Sequence, residues 1–104
     1  MKIDDLRKIN RLECIIITQH SRKRLAEREI RIEDILHLIN NGEIIEDYPD
    51  DKPFPSCLVL GKVDDKAIHV VVSTDGDNIY IVTAYIPSEN KWMPDMKTRK
   101  EDKQ

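Results

Sequence analysis

At 104 residues the chain has room for one domain with a single hydrophobic core and not for two. Hydrophobic residues at 39% and charged residues at 36% fit a small globular protein with a well-charged surface, and no apolar run approaches the roughly 18 residues a membrane helix needs. The net charge of −3 argues against a simple nucleic-acid binder, since such domains are as a rule basic. In chain order, Ile3, Leu6, Ile9 and Leu12 recur three apart with Asp4 and Asp5 in the first turn. This spacing predicts a short amphipathic helix over residues 3–12 with acids at its positive end. Those same acids stand where a secretory signal would be apolar, so a cytoplasmic location is expected. Cys14 to Ile17 is a brief apolar run and reads as a buried extended link. A second helix is predicted from about Gln19 to Glu29. A third carries Ile32, Ile35, Leu36 and Ile39 at i, i+3, i+4, i+7, opened by Glu33 and Asp34 and closed by Asn40-Asn41-Gly42.

After Gly42 the period changes from helical to strand-like. Glu43 to Asp47 is a short strand candidate, and Tyr48 to Ser56, with Pro49, Pro53 and Pro55, reads as a loop. Three stronger strands follow over Cys57–Val63, Ala67–Ser73 and Ile79–Ile86. They are joined by Asp64-Asp65 and by the Thr74–Asn78 turn, so an antiparallel meander is the natural topology. The expected architecture is α+β: two or three N-terminal helices followed by a three- or four-stranded antiparallel sheet. Residues 1–92 are expected to form this single domain, with 93–104 as a polar, partly disordered C-terminal tail.

The charges are unevenly spread. Residues 1–40 hold nine Lys/Arg against seven Asp/Glu, residues 41–90 three against ten, and residues 91–104 five against three. A basic front and tail thus bracket an acidic middle. Cys14 and Cys57 form no CxxC pair and have no histidine at ligand spacing, which supports buried, reduced cysteines and neither a zinc nor a redox site. No metal or cofactor is expected.

His20, Arg24 and Arg28 repeat every four residues and so form one stripe on the second helix, at roughly 0°, 40° and 80° on its wheel. Ser21 and Leu25 fall at about 100° and 140°, so the stripe borders the core-facing side, where residues line grooves. The plainer reading pairs Arg24 and Arg28 with nearby acids, as in any charged helix face. His69 sits in an apolar strand, where a lone histidine is more often a satisfied core residue. Parity bears on this: an odd-numbered loop at 74–78 places His69 opposite Thr83 and Ala67 opposite Tyr85, all on one face. An even-numbered loop separates His69 from Thr83 unless a bulge intervenes. Gly76 between aspartates favours a three- or five-residue turn, hence the shared face.

If His20, Arg24, Arg28, His69, Thr83 and Tyr85 converge, they suit metal-independent cleavage of RNA by its own 2′-hydroxyl. That reaction needs one base and one acid, and imidazoles serve as both. Arginine forks answer the charge that grows on the phosphate, and Thr or Tyr hydroxyls hold its oxygens. There is no glycine-rich phosphate loop and no GxSxG elbow.

An ordered set of motifs strengthens this reading. It comprises Thr18-x-His20 with Arg24 and Arg28, Ile30-x-Ile32-Glu33-Asp34, Asn41 to Glu46, and Pro55 to Gly61. Ile68 to Val72, Thr83-Ala84-Tyr85-x-Pro87, Trp92 and Lys97-Thr98-Arg99 complete it. The set resembles a small, largely uncharacterised bacterial domain family grouped with RelE-type, barnase and EndoU-like ribonucleases and with the toxin half of toxin–antitoxin pairs. The resemblance spans about residues 15–99. It implies an RNase-like toxin with RNA as substrate, a cognate antitoxin protein as partner, and a RelE/barnase-like fold. Catalytic His20, His69 and Thr83 and substrate-binding Arg24, Arg28 and Tyr85 are then the expected site. Glu29 and Ser21 depart from the family pattern, which has Gly and often Ala there. The alternative, from a different class, is a non-catalytic protein-interaction module that docks through its basic helix.

Overall fold

The fold is built around the joint between a helix and the strand that follows it. Ile35, Leu38 and Ile39 lie on one side of α3 (Ile32–Asn41) and are fully buried, as their 3–4 spacing requires. They pack on β3 (Ser56–Val63), whose Cys57 and Val59 face them. The computed structural model describes residues 1–100. Before α3 come α1 (Ile3–Lys8), a short 3₁₀ turn (Leu12–Cys14), β1 (Ile15–Ile17) and α2 (Gln19–Glu27). After it come β2 (Glu43–Tyr48), β3, β4 (Lys66–Thr74) and β5 (Ile79–Tyr85). Among the described residues no helix is long and apolar enough to cross a membrane.

The α+β class and the four downstream strands agree with the sequence reading, but the sheet corrects it in two respects. Five strands, in the order β1-β5-β4-β3-β2, replace the expected three or four, and the sheet is mixed where an all-antiparallel one was expected. The Ile15–Ile17 run is itself a strand, paired parallel with Ile79–Ile81. Three apolar residues carry no periodicity, and their hydrogen-bond partners stand some sixty positions away. The remaining pairs form the expected antiparallel meander.

The first helix is also shorter than its period predicts, because tertiary bonds take over at its end. The Arg7 guanidinium donates to the carbonyls of Ile39 (3.0 Å) and Gly42 (2.8 Å), and Asn10 donates to Leu36 (2.8 Å). The Arg7 bonds thereby satisfy the Ile39 carbonyl, one of the four that the C-terminus of α3 leaves unpaired, and the carbonyl of the cap residue Gly42. Cys57 is buried as expected, whereas Cys14 is only half-buried at the 3₁₀ turn.

All three helices contribute to one core against one face of the sheet. Leu6, Leu25, Ile35, Leu38 and Ile39 meet Val59, Ile68, Val70, Val72, Ile79, Ile81 and Ala84. The opposite face carries no helix. Register places Leu58, Leu60, His69, Val71, Thr83 and Tyr85 there, and Leu58 and His69 are nevertheless fully buried. What covers His69 is the chain after β5. Residues 93–100, which fall in the segment expected as a tail, fold back over this face, and Trp92 pairs with Arg99 as a small antiparallel bridge. Residues 101–104 of that segment lie outside the described residues.

Candidate functional site on the helix-free sheet face

Two bulges decide which side chains meet on this face. The loop between β4 and β5 is even-numbered, Asp75–Asn78, where an odd count was expected. One extra residue, Val82, then interrupts the ladder between the Val71–Thr83 and Val72–Ile81 pairs. Even loop and bulge together restore the shared face, with the register moved by two: His69 pairs with Tyr85, and Thr83 with Val71. In β2 a bulge at Ile45 does the same for Glu46. Ile44 points to the core opposite Val59, whereas Glu46 opposes Leu58 on the helix-free face.

The Val82 bulge is held from α2. Thr18 caps the helix by accepting the Ser21 amide at 3.1 Å, and the buried Ser21 hydroxyl donates to the Val82 carbonyl at 3.0 Å. Ser21→Ala leaves that carbonyl without its partner and is expected to cost about 1–2 kcal/mol, read as a lower urea midpoint. A variant as stable as wild type would show that water replaces the hydroxyl freely.

His69 is fully buried, and both of its ring nitrogens are occupied. The Met96 carbonyl, 2.7 Å from Nε2, can only accept, so Nε2 carries the proton. Nδ1 of the neutral ring then accepts from the Tyr85 hydroxyl at 3.2 Å. The rings of Trp92 and Tyr85 meet it edge-on at 4.5 and 5.2 Å. Burial pushes the imidazole pKa below its ordinary value, against the Met96 carbonyl, which favours the protonated ring. Burial likewise raises the Tyr85 phenol.

Beside this pair stands a cluster that the sequence did not announce. Arg99 donates to both oxygens of Glu46, at 2.7 and 3.0 Å, and lies 4.6 Å over the Trp92 ring. The Tyr48 hydroxyl donates to the same carboxylate. Arg99 therefore holds Glu46 below the usual carboxylate range, while burial and then Glu46 push the Tyr48 phenol up to about 12. Glu46 lay hidden behind a bulge that no period reveals. Trp92 and Arg99 did stand out, as residues of the motif set, but nothing local assigned them a place. A groove of about 430 Å³ opens at this end, lined by Tyr85, Ile86, Ser88, Lys91, Trp92 and Arg99.

The helix stripe divides. Arg28, at the end of α2, reaches the sheet margin, where its guanidinium donates to the Ala84 carbonyl (2.6 Å) and to the Thr83 hydroxyl (3.3 Å). His20 and Arg24 are exposed, and among the described residues their side chains make no hydrogen bond or ion pair. The structure thus brings together His69 with Tyr85, and Arg28 with Thr83, along one strand. It brings His20 and Arg24 into contact with neither pair. Among the described residues no group of three or more His, Cys, Asp or Glu is placed to hold a metal ion.

Comparison with known proteins adds one match. The model of a family described as a domain of unknown function, DUF4258, matches residues 17–86, which run from the end of β1 past β5. No curated protein and no solved structure matches the chain.

Proposed function

The chain belongs to the DUF4258 domain family, and from that premise we propose that it is an RNA-cleaving toxin, active without metal and neutralised by a cognate antitoxin protein in the cytoplasm. The observation that carries this reading is the row along β5: Tyr85 bonded to His69, and Thr83 bonded to Arg28, on one helix-free face. An imidazole with a depressed pKa is a competent proton acceptor at neutral pH. His69 takes or returns the proton of the 2′-hydroxyl attack, and exposed His20 supplies the complementary acid or base. Arg28 and Arg24 meet the phosphate, and the Thr83 and Tyr85 hydroxyls hold its oxygens. Kinship with RelE-type, barnase and EndoU-like ribonucleases is part of this proposal, supported by the ordered motifs quoted above.

The purified chain is expected to cleave single-stranded RNA in EDTA and to leave the same strand intact when the 2′-hydroxyls are replaced by hydrogen. Cleavage of the all-deoxy strand would exclude 2′-hydroxyl attack, and no cleavage of either would exclude the enzyme. A second reading has its own observation: both His69 nitrogens are occupied and the ring is sealed. On that reading the domain is a non-catalytic docking module. Arg24→Glu then abolishes capture of a protein partner by a chain that never cleaves RNA.

A further inference from the structure

We propose that Trp92–Arg99 is a hinged cover that lifts from the sheet as a unit and admits solvent and ligand to His69. Three features of the segment mark it as a cover and not an integral part of the sheet. First, the segment is closed on itself. Met93 N–H donates to the Thr98 carbonyl (2.8 Å), Met96 N–H to Met93 (2.8 Å) and Lys100 N–H to Lys91 (2.9 Å). The Asp95 carboxylate caps its turn by accepting the amides of Lys97 and Thr98 and the Thr98 hydroxyl. Among the described residues none of its backbone–backbone hydrogen bonds goes to a strand of the sheet.

Second, every tie to the sheet is made through a side chain. Arg99 holds Glu46, Lys97 holds Glu43 at 3.1 Å, His69 holds the Met96 carbonyl, and the Trp92 ring packs on His69. The Lys97–Glu43 pair is exposed and weak, so the two-pronged Arg99–Glu46 pair, open to solvent on its Arg99 side, is the main latch, one that a competing anion can take over. Lifting the segment therefore breaks side-chain ties and the Trp92 contact while leaving the ladder intact, as a sub-global opening does. Third, the family match covers residues 17–86, which takes in His69, Tyr85 and Glu46 and stops short of Trp92–Arg99. The inference concerns access to His69 and stands whether or not the face cleaves RNA.

The test uses the full chain, whose sole tryptophan is Trp92. Acrylamide quenching reads exposure of Trp92, and diethyl pyrocarbonate labelling mapped by mass spectrometry reads His69, with exposed His37 as the internal control. Arg99→Ala and Glu46→Gln break the same tie from opposite sides. Each is expected to raise the labelling rate of His69 by about fivefold or more relative to His37, and to raise Trp92 quenching, while the amides of β3 and β4 keep their exchange protection. Labelling unchanged in both variants overturns the cover. So does labelling that rises only together with exchange of the β3 and β4 amides, which makes the segment part of the core. If Arg99→Ala does not fold, Glu46→Gln alone decides.

Discussion

His69→Gln is expected to lower the rate of RNA cleavage by about 10²-fold or more. Glutamine is the informative replacement because its amide can donate to the Met96 carbonyl and accept from the Tyr85 hydroxyl, the two bonds the imidazole makes. The buried partners stay satisfied, so lost activity reports lost proton transfer and not a damaged fold. Unchanged cleavage would remove His69 from the chemistry. The same variant carries a pH signature. Burial holds the folded-state pKa of His69 below its ordinary value. The unfolded chain therefore binds this proton at a higher pH than the native one does. Stability is fully present above the ordinary histidine range and is lost as pH falls through it, levelling once the native ring also protonates. His69→Gln should flatten that part of the wild-type stability profile.

Gly42→Ala is the substitution expected to damage the fold most, by about 3 kcal/mol. The methyl would lie 2.4 Å from the carbonyl oxygens of both Leu38 and Leu60. Both are backbone atoms, one in the last turn of α3 and the other in β3, so neither can swing aside. The joint between helix and sheet has to spread, and Arg7, which donates to the Gly42 carbonyl at 2.8 Å, loses its geometry with it. The other two glycines calibrate the claim. At Gly61 the close atom is Leu38 Cδ2 at 2.6 Å, the mobile end of a side chain. At Gly76 nothing lies within 4 Å, and only the backbone at φ +99° resists a side chain, at about 1 kcal/mol. Urea midpoints should therefore fall in the order Gly76→Ala, Gly61→Ala, Gly42→Ala, with Gly42→Ala lowest. A Gly42→Ala midpoint at or above that of Gly76→Ala would contradict the close approach.

Much of the fold was legible because it follows local periods. The i, i+3, i+4, i+7 recurrence of Ile32, Ile35, Leu36 and Ile39 and the strand-like apolar runs of β3, β4 and β5 locate α3 and the meander to within a residue or two. The helix nevertheless buries Leu38 where the recurrence pointed to Leu36. Strand β1 was not legible, because three isoleucines have no period and gain strand character only from β5. Of the candidate site, His69, Tyr85, Thr83 and Arg28 were named from sequence and lie along one sheet margin. Their shared face came through an even loop and a bulge in place of an odd loop, since parity counts residues and cannot see one that leaves the ladder. Glu46 stayed hidden for the same reason. The role of Met96 and Arg99 was out of reach for another: a polar stretch with one tryptophan reads as a tail until a buried imidazole needs its carbonyl.

The most direct check on the site is the state of the His69 ring in solution, read by two-dimensional ¹⁵N–¹H spectroscopy of the imidazoles across a pH titration. The expected result is a neutral ring at pH 7 with its proton on Nε2, titrating below the ordinary histidine range. A ring that is charged at pH 7, that carries its proton on Nδ1, or that titrates at or above the ordinary histidine range would contradict the buried, doubly bonded His69 of the helix-free face.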